Sequence, residues 1–266
     1  MTTLAATAPF TYPLRRFRAF VSLEVRRTLR NRRYVILAIA FPVVFYLLYT
    51  GILSGASADP TALVGGIQWR TYFMVSMASY AAIVAALSGA VVIARERESG
   101  WTRQLRVTPL PPLAYVSGKL LLSLIIAVPA IAAVMVAGLL VNHVELSPGR
   151  WLELLVILAV GSVPFAALGL LIGYLFGSDS AQGATLVILF SLAIVGGLWA
   201  PISSFPDSVA TIGRMLPSFR LADLGRSVAA GVPIDLADIG VLVIYAALFG
   251  VLAAWRYRTS EQRASG

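Results

Sequence analysis

The sequence predicts an all-α membrane protein with six transmembrane helices, and two observations support this. Hydrophobic residues make up 59% of the 266-residue chain and charged residues 12%, whereas soluble domains are about 45–50% apolar and about 25% charged. The apolar residues also occur in blocks of about twenty, the length with which a helix crosses a hydrocarbon core roughly 30 Å thick. Because a backbone in lipid must satisfy its own hydrogen bonds, each block is predicted to be a helix.

The predicted spans divide the chain into three parts. Residues 1–33 form a cytoplasmic arm, residues 34–256 a transmembrane domain, and residues 257–266 a cytoplasmic tail. Most of the 21 Lys and Arg residues lie in the arm, in the loop after the second span and in the tail. Since basic loops remain in the cytoplasm, both termini are predicted to be cytoplasmic, in a multi-pass protein of the cell membrane. The six spans are residues 34–53, 71–94, 120–141, 154–176, 184–202 and 239–255.

The arm has the pattern of an amphipathic helix over residues 14–30. Its apolar residues recur every three or four positions, with arginines between them. Such a helix lies in the membrane interface with its arginines toward the headgroups. It is either a plain anchor or an elbow that contacts a cytoplasmic partner. In the second case the contacts are Phe17, Val21, Val25 and Arg26.

The most polar stretch between two spans is VIARERESGWTRQLRVTPLPPL, residues 92–113. The second span is predicted to continue as helix through Glu98, because Gly100 suits the left-handed conformation that ends helices. A second, short helix begins at Trp101 and stops before Pro109. Trp and Arg are enriched at binding hot spots, so a docking element is favoured over a plain solvated loop. Its residues are Glu96, Glu98, Gly100, Trp101, Arg103, Leu105, Arg106 and Pro109.

Two short helices are predicted in the loop between the fifth and sixth spans. Pro206 and Pro217 each precede an apolar helical stripe, and proline is favoured in the first helical turn. On the external face, the pair forms either an interfacial cap or a gate. The residues of such a gate are Pro206, Pro217, Phe219 and Arg226.

Small residues and prolines indicate where spans touch and bend. Gly161, Gly169 and Gly173 in the fourth span allow a neighbouring helix to approach closely. Pro129 in the third span and Pro164 in the fourth either break their helices locally or only bend them.

The six spans contain no Asp, Glu, Lys, Arg or His between their ends. Ion-driven transporters generally need such a group, or a broken helix, near the midplane. The sequence therefore argues against proton coupling and, more weakly, against sodium coupling. The single histidine, His143, lies beside Glu145, and the chain has no cysteine and no phosphate-binding loop around its one lysine. We expect no catalytic residue, no metal and no cofactor on this chain, and lipid headgroups rather than nucleic acid opposite its basic residues.

Two segments, in this order, resemble the ABC-2 type transporter permeases. ARERESGWTRQLRVTPLPPLAYVSGK has the acidic-basic turn, the glycine, the short basic helix, the Thr-Pro and the Gly-Lys of that family. GGLWAPISSFPDSVATIGRMLPSFRLADLGRSVAAG resembles its region after the fifth span, although Phe219 stands where the family often has Tyr. Size and short external loops most resemble the drug- and antibiotic-efflux branch, such as daunorubicin- or linearmycin-resistance permeases.

The resemblance implies a division of labour between chains. Residues 96–109 would be a coupling helix seated in a groove of a separate ATPase subunit, and the elbow, residues 17–31, would add contacts. Two permease copies would pair with two ATPases, and those partners would bind ATP and Mg. The substrate would be a hydrophobic or amphiphilic drug, antibiotic or lipid-like molecule. Candidates for its path are Phe45, Tyr49, Tyr72, Tyr80 and Trp199.

Other functions stay open at this point. Close relatives in fold export polysaccharides, so a subunit for export of polysaccharide or lipid-linked glycan is one alternative. A membrane scaffold that senses a ligand and signals to a cytoplasmic partner without transport is another, because it would use the same docking helix. An intramembrane enzyme is a distant third, since the sequence offers no paired acid, base or nucleophile.

Overall fold

The computed structural model describes residues 22–23, 26, 32–53, 63–100 and 112–263. This part of the chain is helical apart from a small β-hairpin and the connecting turns. The hairpin pairs Val64 with Ile67, and positive φ angles at Gly65 and Gly66 make its two-residue turn, as hairpins of this length require. The first elements are α1 (Arg32–Leu48) with a π-helical turn (Tyr49–Leu53), β1 (Leu63–Val64), β2 (Ile67–Gln68), α2 (Trp69–Leu87), α3 (Gly89–Glu98) and α4 (Pro112–Val141). The others are α5 (Pro148–Gly161), α6 (Val163–Leu175), α7 (Ser178–Val195), a 3-10 turn (Ile202–Ser204), α8 (Asp207–Met215), α9 (Pro217–Ala230) and α10 (Leu236–Arg263).

Five stretches of the described residues are long and apolar enough to cross a membrane: Trp69–Glu98, Ser117–Val141, Pro148–Leu175, Ser178–Val195 and Leu236–Tyr257. They correspond to the second to sixth predicted spans, and they confirm a helical, multi-pass membrane fold. The described apolar part of α1 is shorter than a span, Ala38–Gly51. The count of six therefore stays a prediction. Helix α10 continues to Arg263, so the predicted tail begins inside a continuous helix.

Two of these stretches are each divided at a serine. The Ser88 hydroxyl donates to the Ala85 carbonyl between α2 and α3, and the Ser162 hydroxyl donates to the Ala159 carbonyl between α5 and α6. Such bonds back to the preceding turn often bend helices. Pro164 lies in the first turn of α6, where its missing N–H costs nothing. Helix α4 runs through Pro129 without a break.

Helix α2 is the centre of the bundle. Apart from Trp69, Arg70 and Val84 its residues are buried, because α1, α4, α6 and α9 pack around it. A helix that is apolar on all sides is expected to be buried in this way. Helix α3 extends from this centre and packs against α6 and α7.

The predicted close approach at the glycines of the fourth span is confirmed. A Cβ on Gly173 would lie 2.7 Å from the Ala90 carbonyl oxygen, and one on Gly169 would lie 3.2 Å from the Ala86 carbonyl oxygen. A Cβ on Gly161 would lie 2.5 Å from Cδ1 of Leu221. Helix α6 therefore touches the backbone of α2 and α3 directly, with no side chain between them.

The two short helices after Trp199 begin where the prolines predict. However, α9 is an interior helix, because Gly225 faces Val75 of α2 and Leu158 of α5 so closely that a Cβ there would meet both. Helix α8 turns its small residues inward and leaves Ile212 and Met215 about 60% exposed (58% and 61%). Its apolar stripe therefore faces away from the rest of the chain.

Candidate functional site

The charged end of α3 is the first feature that bears on function. The predicted helix through Glu98 is confirmed, and Gly100 follows with a φ of 71°. Glu96, Arg97 and Glu98, together with the groups they bind on α4, α6 and α7, are called the charge junction below. Successive helical residues point about 100° apart, and each of these three side chains reaches a different helix.

Glu96 binds α4. Its Oε1 atom accepts a hydrogen bond from Nζ of Lys119 at 2.8 Å, and the two side chains are 2% and 4% exposed. A buried ion pair tolerates the loss of one partner poorly, because an uncompensated charge is left behind. The structure places Glu96, which the sequence assigned to docking, inside the bundle rather than on a docking surface.

Arg97 binds the end of α6. Its NH1 donates to the Gly173 carbonyl at 2.6 Å and, at the longer distance of 3.5 Å, to that of Phe176. The guanidinium also lies 5.7 Å from the centre of the Tyr174 ring. A cation is favourable at this place because carbonyls at a helix C-terminus lack intrahelical donors and carry partial negative charge. Arg97 was counted only as part of the basic loop, and its spacing before Gly100 gives no signal of this role.

Glu98 binds the start of α7. The backbone N–H of Ser178, the first residue of α7, donates to its Oε1 atom at 2.8 Å. A carboxylate is favourable at a helix N-terminus. A Cβ on Gly177 would lie 2.7 Å from the same Oε1 atom, so the contact depends on a glycine there. The turn from α6 to α7 is thus held between a cation on one side and an anion on the other.

Much of the predicted docking machinery falls outside the described residues. This holds for Trp101, Arg103, Leu105, Arg106 and Pro109 of the docking segment. It also holds for Phe17, Val21 and Val25 of the elbow, while Arg26 is an exposed helical residue. Docking by these residues stays a prediction.

A second feature is a continuous group of aromatic rings between α1, α2 and α7, called the aromatic face below. Four of the five predicted path residues belong to it. The Trp199 ring lies 5.4 Å from that of Phe45 and 5.8 Å from that of Tyr80, and Tyr49 lies 4.4 Å from Phe73. These are centroid distances close to the 4.5–7 Å typical of aromatic pairs. The members are Phe41, Phe45, Tyr49, Trp69, Phe73, Tyr80, Phe190 and Trp199.

Sequence reasoning missed four members of this face, although the signal for one was present. Phe41 precedes Phe45 and Tyr49 at intervals of four, which puts all three on one side of α1. Phe41 and Phe190 are each 41% exposed, so the face opens at its edge. In the described part of the chain, Nε1 of Trp199 is buried and has no hydrogen-bond partner.

The predicted gate residues form an interior cluster around Arg226. Its side chain is 7% exposed, and NH1 donates to the Tyr72 hydroxyl at 2.9 Å. The guanidinium lies 4.8 Å from the Tyr72 ring centre and 5.1 Å from that of Phe219. Its NH2 atom is 3.4 Å from Asp223. Tyr72, predicted on the path, thus binds Arg226, although its ring also stacks on Trp69 at 6.0 Å.

The remaining gate residues lie apart. Pro217 is buried in the first turn of α9, whereas Pro206 is exposed before α8. A neighbouring ion pair, Arg220 to Asp238 at 2.7 Å, joins α9 to α10 and was not predicted. Among the described residues, no three His, Asp or Glu side chains come together as a metal site would need.

Comparison with known proteins agrees with this arrangement. Residues 68–255 match the family model described as ABC-2 family transporter protein. The chain is also 29% identical over 239 residues to YvfS of Bacillus subtilis (strain 168), whose name is that of a transport permease; the match covers 90% of this chain and 95% of the relative. The family match begins one residue before α2 and includes both the charge junction and most of the aromatic face. The chain therefore belongs to the ABC-2 family of transporter proteins, which are membrane permeases.

Proposed function

We propose that this chain is the membrane subunit of an exporter that is driven by a separate ATPase. Two copies of the permease pair with two ATPase subunits, which bind ATP and Mg, and both termini lie in the cytoplasm. The observation that carries the proposal is the charge junction. It connects the predicted docking segment, residues 101–109, to three helices of the bundle, as a subunit driven from outside needs.

The aromatic face supports a hydrophobic or amphiphilic substrate. It combines stacked rings with the indole N–H of Trp199, a buried donor that a ligand oxygen can satisfy. Ligand sites are commonly apolar and aromatic with a few placed polar groups. This chemistry fits a drug, an antibiotic or a lipid-like molecule that enters from the inner leaflet or the cytoplasm.

Flux in vesicles tests the proposal. The permease is purified from its native membrane with its associated proteins and reconstituted, and uptake of a fluorescent hydrophobic cation, a fluorescent phospholipid and a labelled glycan is followed. We expect an ATPase to co-purify and one of the first two probes to move only with ATP. Flux driven by a proton or sodium gradient without ATP would refute the proposal, and movement of the glycan alone would reassign the substrate.

A tryptophan pair supplies the matched control. Trp199→Leu removes both a ring and the buried N–H from the aromatic face, so we expect lower flux at unchanged ATPase binding. Trp255→Leu, on the exposed side of α10, is expected to leave flux unchanged. Equal flux in both variants would contradict a role for the aromatic face. Probe-stimulated ATP hydrolysis without flux would favour the sensing scaffold.

A further inference from the structure

The charge junction joins the docking segment to the aromatic face through α7. Residue 101 lies three positions after Glu98, whose carboxylate holds the first residue of α7. Helix α7 carries Phe190, and the chain reaches Trp199 just after the helix ends. The Trp199 ring in turn contacts Phe45 of α1 at 5.4 Å. One short covalent and hydrogen-bonded route therefore leads from the docking segment to the aromatic face.

The three contacts of the junction differ in strength. The Glu96–Lys119 pair is buried, and α3 touches α6 at backbone distance beside the bond from Arg97. The contact between Glu98 and α7 is a single hydrogen bond at an exposed position. Exposed charge contacts contribute little compared with buried ones. Helices α3, α4 and α6 are thus firmly joined, and α7 is attached to them more weakly at this end.

We propose that Glu96, Arg97 and Glu98 are positioning residues that pass a displacement of the docking segment to α4, α6 and α7, with Glu98 as the contact that moves α7. This inference rests on the proposed function, because an ATPase must supply the displacement. Movement of α7 relative to α1 changes the spacing between Trp199 and Phe45. The aromatic face is thereby opened or closed from the cytoplasmic side.

The receiving helix provides a variant that leaves the docking segment unchanged. Gly177→Ala places a Cβ where the Glu98 carboxylate now lies, and Gly177 has an ordinary φ of −73°. Since Gly177 is exposed at a helix end, the fold is expected to survive. Gly183→Ala on the same helix is the matched control, because nothing lies within 4 Å of a Cβ there.

The absence of cysteine from the chain allows site-specific spin labels. Cysteines replace Val44 on α1 and Val187 on α7, both exposed, in one copy of each complex, which is selected by a second affinity tag. The distance between the labels is measured in the permease–ATPase complex without nucleotide and with ATP plus vanadate. We expect a nucleotide-dependent shift in the parent protein and in Gly183→Ala. In Gly177→Ala we expect the shift to be lost while the ATPase still co-purifies.

A second label pair separates transmission from a general loss of structure. With labels at Val44 and Val136 on α4, Gly177→Ala is expected to retain the shift, whereas Lys119→Met is expected to lose it. An unchanged α7 shift in Gly177→Ala would overturn the inference, as would loss of ATPase binding in that variant. A parent protein that binds no ATPase, or shows no shift at either pair, would instead overturn the proposed function and the inference with it.

Discussion

Replacing Gly173 by alanine tests the packing that places α3 against α6. The new Cβ would lie 2.7 Å from the Ala90 carbonyl oxygen and 2.8 Å from Cβ of Ile93. These atoms belong to the backbone or its first side-chain carbon, so they cannot rotate away. The two helices must separate, and overpacking of this kind costs about 1–3 kcal/mol.

Gly250→Ala in α10 is the control, because nothing lies within 4 Å of a Cβ at that position. Alanine is favoured over glycine inside a helix by roughly 0.5–1 kcal/mol, so this variant is expected to be neutral or slightly stabilised. The two variants should therefore differ by about 2–4 kcal/mol, the sum of the two effects.

Unfolding by SDS in mixed micelles, followed by tryptophan fluorescence, measures this difference. The Gly173→Ala transition is expected at a lower SDS fraction than that of the parent protein, and the Gly250→Ala transition at the same or a higher one. Coincident transitions for the two variants would show that α3 and α6 are not in backbone contact. The position assigned to Arg97 beside the Gly173 carbonyl would then be wrong as well.

Three further predictions follow from single features. Lys119→Met should destabilise the bundle by about 3–5 kcal/mol because Glu96 is left buried without its cation; adding Glu96→Gln should recover part of this loss in the same SDS assay. Gly231→Ala should cost about 1–2 kcal/mol, since the residue after α9 has a φ of 70° that side chains disfavour; an unchanged transition would argue against this helix end. Trp101→Ala combined with Arg106→Glu should abolish co-purification of the ATPase without shifting the unfolding transition, and retained binding would show that the docking segment lies elsewhere.

The helices and several of their ends could be predicted from local signals. Apolar blocks located the spans, Gly100 ended α3, and Pro217 began α9, because each of these depends on the chemistry of neighbouring residues. The close contact at Gly173 could also be predicted, since a small residue inside a span has few other uses. The aromatic residues of α1 repeat every four positions, and this spacing alone puts them on one side of the helix.

The direction of the charged side chains could not be predicted in the same way. Glu96 and Glu98 differ by two positions on one helix, yet the first is buried against α4 and the second caps α7. Which of them faces inward depends on where Lys119 and the start of α7 lie, and the sequence of residues 92–113 contains neither. Similarly, the apolar stripe of α8 predicts a buried side, but its small residues Ala210 and Gly213 are the ones that fit against the bundle.

These orientations change how the charged stretch is divided between two tasks. A polar segment below a membrane bundle satisfies one set of partners with its first turn and is available to another set with the rest. Here the triplet from Glu96 to Glu98 binds helix ends whose partial charges are opposite to its own, so its charges are needed within the chain. The residues from Trp101 onward are then left to contact a second polypeptide. A substitution in the triplet should therefore disturb motion of the bundle before it disturbs binding of the ATPase, and a substitution after Gly100 should do the reverse.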